Sequence, residues 1–266
     1  DTVTIARSRK HIEKYYNLDE IGKFPTRMTP ENRYAVIDTE GEFPPIEEIN
    51  KLIKKLTLAV YSPLTYVLPE KRVAYEKKYD MVVGSNNSVF RQIDREQSLV
   101  GLMRVGILKR LESSINSFAL TVENILNKID RTIEAIEQRQ LDYDAEMDIS
   151  EIDIDDPEFE SMMFGNNVKV LLQDMDLIKW KQDLLADKDK LETILLEAIN
   201  VTPDRDAKLI ELRTLIENKI NNPINPDNKK VIVFTAFADT ARYLYKHLSE
   251  EFAGKGIYSA IVTGSG

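Results

Sequence analysis

The stretch LKRLESSINSFALTVENILNKIDRTIEAI, residues 108–136, decides how this chain is read. Leu108, Leu111, Ile115, Phe118, Val122, Ile125, Ile129, Ile133 and Ile136 recur at intervals of three and four residues. That spacing puts them on one side of a helix and sustains an apolar stripe over about four heptads. A stripe of this length needs a partner. Val168, Leu171, Met175, Ile178, Leu185, Leu191, Ile194 and Ala198 supply a second one. Two long helices joined by a polar segment read as an antiparallel hairpin. Trp180 is expected to pack at the interface between them.

The joining segment, about residues 142–160, carries about ten acidic side chains and no Lys or Arg, and is read as a solvated loop. It accounts for the net charge of −9. The remainder is close to neutral, so the acidic total does not speak against a nucleic-acid partner.

Outward from the hairpin, residues 1–16 read as a strand end followed by a short basic helix holding Arg7, Arg9 and Lys10. A turn over Gly22–Pro25 follows, then a run of strand formers from Arg33 to Thr39. Pro44-Pro45 opens a helix with Ile46, Ile49, Leu52, Ile53 and Leu56 on one face. Another helical stretch spans Tyr66–Tyr79, broken near Pro69, and Gly84–Asn87 is a loop. Pro203-Asp204 starts a helix with Leu209, Leu212, Leu215 and Ile216 inward. Lys230–Thr235 is a continuous apolar run of the kind found in buried parallel strands. An amphipathic helix over Asp239–Phe252 follows, with Ala241, Leu244, Tyr245 and Leu248 inward, then a second strand over Ile257–Thr263. Such a strand–helix–strand unit buries its strands only if further strands join them.

The 266 residues, 42% hydrophobic and 30% charged, describe an ordinary soluble protein. No stretch approaches a membrane span and no signal peptide is evident, so a cytoplasmic location and no membrane partner are the default expectation. The absence of cysteine excludes disulfides and thiolate zinc sites, and two distant histidines, His11 and His247, make a histidine metal site unexpected. No phosphate-cradling Gly-x-x-x-x-Gly-Lys-Ser/Thr run is present, and no Asp-Glu pair follows an apolar strand. Phosphoryl transfer needs both a phosphate cradle and a metal carboxylate. No catalytic residue, metal ligand or cofactor is therefore assigned, and this chain alone is not expected to hydrolyse ATP.

Val231-Ile232-Val233-Phe234-Thr235-Ala236-Phe237, followed by Ala241-Arg242-Tyr243-Leu244, resembles the first strand and helix of the second motor lobe of SWI/SNF-type superfamily-two helicases. Ile261-Val262-Thr263-Gly264-Ser265 is similar to the next strand and its Asp-Gly-Ser turn, although Val262-Thr263 departs from the hydrophobic-Asp spelling. Asp206-Ala207-Lys208-Leu209, with Leu212, resembles the helix preceding that lobe. Leu108-Lys109-Arg110-Leu111-Glu112-Ser113-Ser114 resembles a signature of bacterial members, and Ile5–Lys10 is similar to the basic run that follows the first lobe. The matches occur in the family's order.

The resemblance implies a mainly α chain with a partial α/β, RecA-like lobe: a long antiparallel helical hairpin plus a C-terminal strand–helix–strand. Residues 1–95 would end the first motor lobe, 96–222 form a helical insertion, and 223–266 begin the second lobe. The whole protein would translocate on double-stranded nucleic acid, DNA in the first instance, using ATP and Mg. Its ATP-binding motifs would lie before Asp1 and its remaining lobes would be this chain's partners. Thr235, at the end of a strand beside a helix N-terminus, and Thr263, Gly264 and Ser265, at the equivalent end of the next, are the candidate backbone-phosphate contacts. Arg7, Arg9 and Lys10 join them as nucleic-acid-binding candidates. Arg104, Lys109 and Arg110 are candidate interlobe or nucleic-acid contacts. The alternative function is a helical scaffold or protein-partner-binding module, carried by the hairpin itself.

Overall fold

A computed structural model describes residues 8–17, 24–83, 88–138, 142–145, 168–226 and 228–264. Its α-helices are α1 (Arg9–Tyr15), α2 (Ile46–Lys54), α3 (Arg72–Tyr79), α4 (Gln92–Ser113), α5 (Ile115–Glu137), α6 (Leu177–Ile199), α7 (Ala207–Asn221) and α8 (Ala238–Ala253). Short 3₁₀ turns cover Ala59–Tyr61, Pro63–Tyr66 and Leu172–Asp174. Two antiparallel ribbons pair β1 (Met81–Val83) with β2 (Ser88–Phe90) and β3 (Asp142–Ala145) with β4 (Val168–Leu171).

The stripe over 108–136 belongs to two helices. Ser114 breaks it: its backbone is extended, and its hydroxyl accepts from the amides of Asn116 and Ser117 at 3.2 and 3.3 Å. Serine competes for backbone donors in this way and favours helix starts over helix interiors. Helix α4 stops at Ser113 and α5 begins afresh at Ile115.

Helices α5 and α6 pack along each other as the central pair. From α5 the pair buries Phe118, Val122, Ile125 and Ile129; from α6 it buries Trp180, Leu184, Leu191, Ile194 and Ala198. The Trp180 indole donates to the Ala59 carbonyl at 3.1 Å and stacks on Tyr66 at 5.9 Å between ring centroids. Asp187 is buried in the same layer. Its carboxylate accepts from the Thr57 and Ala59 amides at 2.7 and 3.1 Å, straddling Leu58. Leu58 has φ of 52°, in the left-handed region that costs an L-residue roughly 1–2 kcal/mol.

The expected C-terminal α/β lobe is corrected by the structure. Residues 230–235 and 257–263 are neither strands nor paired among the described residues, and the ribbons that do form are antiparallel. Ile232, Phe234, Tyr258 and Val262 are largely exposed. A parallel strand is held by ladder neighbours and by layers covering both faces. Helix α8 instead directs Thr240 and Tyr243 at α4, α5 and the start of α7. The run Arg33–Thr39 also forms no strand; it contributes a lone bridge between Asp38 and Asp206.

The chain divides into two compact units. The larger comprises Val36–Ile210 and Phe234–Gly266 and contains α2 to α6, the start of α7, and α8. The smaller comprises Asp1–Ala35 and Glu211–Val233. Within it Thr26 and Asn225 exchange two hydrogen bonds, of 2.7 and 3.0 Å, and Arg33 is ion-paired with Glu211 and Glu31.

Candidate functional site

Of the residues singled out from sequence, Arg7 and Ser265 lie outside the described residues. Thr235 is half-buried, and its hydroxyl accepts from the Phe237 amide at 3.2 Å, so it helps to set the turn into α8. Thr263 is half-buried and Gly264 exposed at the end of the extended run. In the smaller unit, Arg9 lies 4.9 Å over the Phe24 ring and reaches the Pro25 carbonyl at 3.4 Å, while Lys10 is exposed. Arg104 donates to the Leu56 carbonyl at 2.6 Å, which ties α4 to the end of α2; Lys109 is exposed.

Arg110 is buried at the last turn of α4. It donates to Asp239 at 3.0 Å, and its guanidinium lies 4.7 Å over the Phe237 ring. The hydroxyls of Ser113 and Ser117 lie 2.9 and 2.8 Å from that of Thr240. Tyr243 donates to Asp206 at 3.0 Å, and Asp206 caps α7 by accepting from the Lys208 and Leu209 amides. Lys208 donates to the Glu112 carbonyl. The Leu-Lys-Arg-Leu-Glu-Ser-Ser stretch thus clamps the first turn of α8 onto the α4–α5 break. Asp239 and Tyr243, together with Thr240, which no sequence pattern singled out, complete the clamp.

Beside Asp206, Arg205 makes a two-pronged contact with buried Asp38, at 3.1 and 2.6 Å, and also reaches Glu40 and Glu42. The Arg205 guanidinium, helped by three backbone amides, holds the Asp38 carboxyl well below the usual carboxylate range. On α4, Glu96 is fully buried and accepts from the Leu64 amide at 3.1 Å; burial pushes its carboxyl well up. The Asp38 and Glu96 carboxyls are turned inward. Among the described residues, no three His, Asp or Glu side chains converge as metal ligands, and no helix is long and apolar enough to cross a membrane.

One outward-facing feature lies on α6. Besides its buried stripe, the helix exposes Ile178 (76%), Leu185 (46%), Leu196 (58%) and Ile199 (57%). At 3.6 residues per turn, Ile178 and Leu196 share one azimuth, Leu185 lies about 20° away and Ile199 about 60° away. Trp180, Leu184, Leu191 and Ala198 lie on the opposite side, so α6 carries two apolar faces and its hairpin packing uses one. Ile178 and Leu185 read from sequence as part of the inward stripe. The signal that separates them is that each adjoins a more enclosed leucine, partly buried Leu177 beside Ile178 and fully buried Leu184 beside Leu185, so that no single face holds every apolar residue.

The chain matches no protein-family model, and no curated protein or solved structure shows significant similarity to it.

Proposed function

We propose that this chain is a helical scaffold whose hairpin presents a protein-binding face. The observation that carries this reading is the second, solvent-facing apolar stripe of α6, backed by a buried stripe that holds the same helix rigid. A helix packed on one side and apolar on the other is built for the helix-in-groove or helix-on-helix modes of recognition. The test is co-purification of the chain and of a Leu185→Glu/Leu196→Glu variant from the same cells. Proteins lost with the substitutions are then identified and recombined in purified form. The expected result is a defined partner that binds the parent chain directly and not the variant. Identical sets recovered with both chains overturn the reading.

A second reading is that the chain contributes backbone contacts and a helical protrusion to an ATP-dependent translocase on double-stranded nucleic acid. One observation favours it. The Arg110–Ser113 stretch and the Phe237–Thr240 stretch, two of the segments with motor-protein resemblance, meet directly through Arg110–Asp239 and Ser113–Thr240. Under this reading the ATP and Mg would be held by the rest of the protein. Its test is duplex DNA binding across a salt series. Affinity should fall steeply with salt and weaken on Arg9→Ala/Lys10→Ala substitution. Salt-independent or absent binding removes it.

A further inference from the structure

We infer that the outer face of α6 receives a basic amphipathic helix, a statement that rests on the scaffold reading above and names the chemistry of its partner. Ile178, Gln182, Leu185, Asp189, Glu192, Leu196 and Ile199 follow one another at intervals of four and three residues. This is the alternating spacing of a coiled-coil seam, and it runs for about 32 Å along the exposed side at 1.5 Å per residue. A helix laid along it meets Ile178 and Leu185 towards one end, Leu196 and Ile199 at the other, and Asp189 and Glu192 between them.

The charge at that centre sets the partner's sign. Lys181 and Lys188, which border the seam, are turned to the hairpin partner helix: Lys181 pairs with Glu137 at 2.7 Å and Lys188 with Asp130 at 2.5 Å. Glu192 reaches only the edge of Lys188, at 3.6 Å, and is exposed. Asp189 is exposed, and its carboxylate has no ion pair among the described residues. Lys181 and Lys188 are thus engaged on α5, Lys190 on the other flank donates to the Ala186 carbonyl of its own helix at 2.6 Å, and Asp189 and Glu192 are the charges in the line of the seam itself.

A second copy of this chain would set Asp189 and Glu192 against carboxylates of its own kind when the two seams meet centre to centre. An uncharged apolar helix would bury Asp189 without an ion-pair partner and leave Glu192 only its 3.6 Å contact with Lys188, which is costly. A helix with apolar residues at its ends and Lys or Arg between them satisfies all the positions.

The experiment uses the full chain and two labelled synthetic helical peptides, followed by fluorescence anisotropy. Both peptides carry Leu at the outer seam positions; one has Lys at the central positions, the other Glu. The Lys peptide is expected to bind roughly tenfold or more tightly than the Glu peptide, since like charges across an interface are strongly disfavoured. Leu185→Glu/Leu196→Glu should abolish binding, and Asp189→Lys/Glu192→Lys should invert the preference. All four positions are exposed, and circular dichroism checks that the fold is kept. Equal affinity for the two peptides, no binding by either, or binding that survives the Leu185→Glu/Leu196→Glu change overturns the inference. A dimer seen by light scattering, and dissociated by the same change, also overturns it by making a second copy the occupant. The scaffold reading survives that last outcome and falls only if the α6 face supports no association at all.

Discussion

Arg110 at the end of α4 donates to Asp239 in the first turn of α8 at 3.0 Å, with its guanidinium carbon 4.7 Å over the centre of the Phe237 ring. A charge, a hydrogen bond and a ring face therefore hold one helix to the break between two others. Arg110 is almost fully buried while Asp239 keeps partial access to water. Removing the arginine forfeits packing as well as charge. Arg110→Ala should lower the stability measured by urea unfolding by about 2–3 kcal/mol. Arg110→Lys should recover part of this, because an ammonium keeps the charge without the planar fork. A loss under 0.5 kcal/mol, within the range of an exposed pair, would show that the clamp does not hold α8.

Asp187 offers a sharper contrast between conservative and drastic changes. Its two oxygens accept from the amides on either side of Leu58, which sits in the left-handed region. Asp187→Ala strips both acceptors from a buried turn and should cost about 3 kcal/mol or more in chemical unfolding. Asp187→Asn keeps one acceptor and should cost about half as much. Equal effects would mean that the turn holds itself without the carboxylate.

Two carboxyls should shape the pH dependence in opposite directions. Asp38 is depressed by Arg205, so its contribution is present above the ordinary carboxylate range and is lost as pH falls through its lower folded value. Asp38→Asn should lower stability at neutral pH and flatten the acid limb of a Tm–pH curve. Glu96 is raised by burial, so the folded state favours its protonated form. Its contribution is greatest below the ordinary carboxylate range and fades as pH rises through the folded value. Glu96→Gln should therefore gain on the parent chain as pH increases. Parallel Tm–pH curves for the parent and either variant would refute the corresponding assignment.

Leu184 and Leu185 are neighbours in sequence on opposite faces of α6. Leu184 is fully buried, so Leu184→Ala should cost about 2–5 kcal/mol. Leu185→Ala should change stability by no more than about 0.5 kcal/mol, as exposed substitutions do. A large loss at Leu185 would mean that its face is already covered within the chain.

The helices were legible wherever apolar spacing was unambiguous, as over Phe118–Ile129 and in the helix opened by Pro44-Pro45. Trp180 was legible as an interface residue. The cap at Ser114 was not, because a serine inside a regular stripe reads as tolerated until its hydroxyl is seen to accept from two amides. The α8 face was only partly legible. Leu248 lies inward as its spacing suggests, whereas buried Tyr243 and exposed Tyr245 reverse the pattern, because Tyr243 finds Asp206. The apolar runs at 230–235 and 257–263 read as strands from composition alone, yet strand pairing depends on neighbours that a local pattern does not contain.

What the amino-acid sequence by itself determined is the pair of long central helices and, on α5, the apolar residues at their contact, since helical period and apolar burial are properties of neighbouring residues. Tertiary structure alone decided which of two apolar faces of α6 is spent on the core, and that Arg110, Ser113 and Ser117 serve as an internal clamp. It also decided that the C-terminal runs stay unpaired. The first two turn on residues far apart in the chain, such as Arg110 with Asp239 and Thr57 with Asp187. Contacts over such separations leave no period in the chain, because they are chosen by packing geometry and hydrogen-bond satisfaction after the helices have formed.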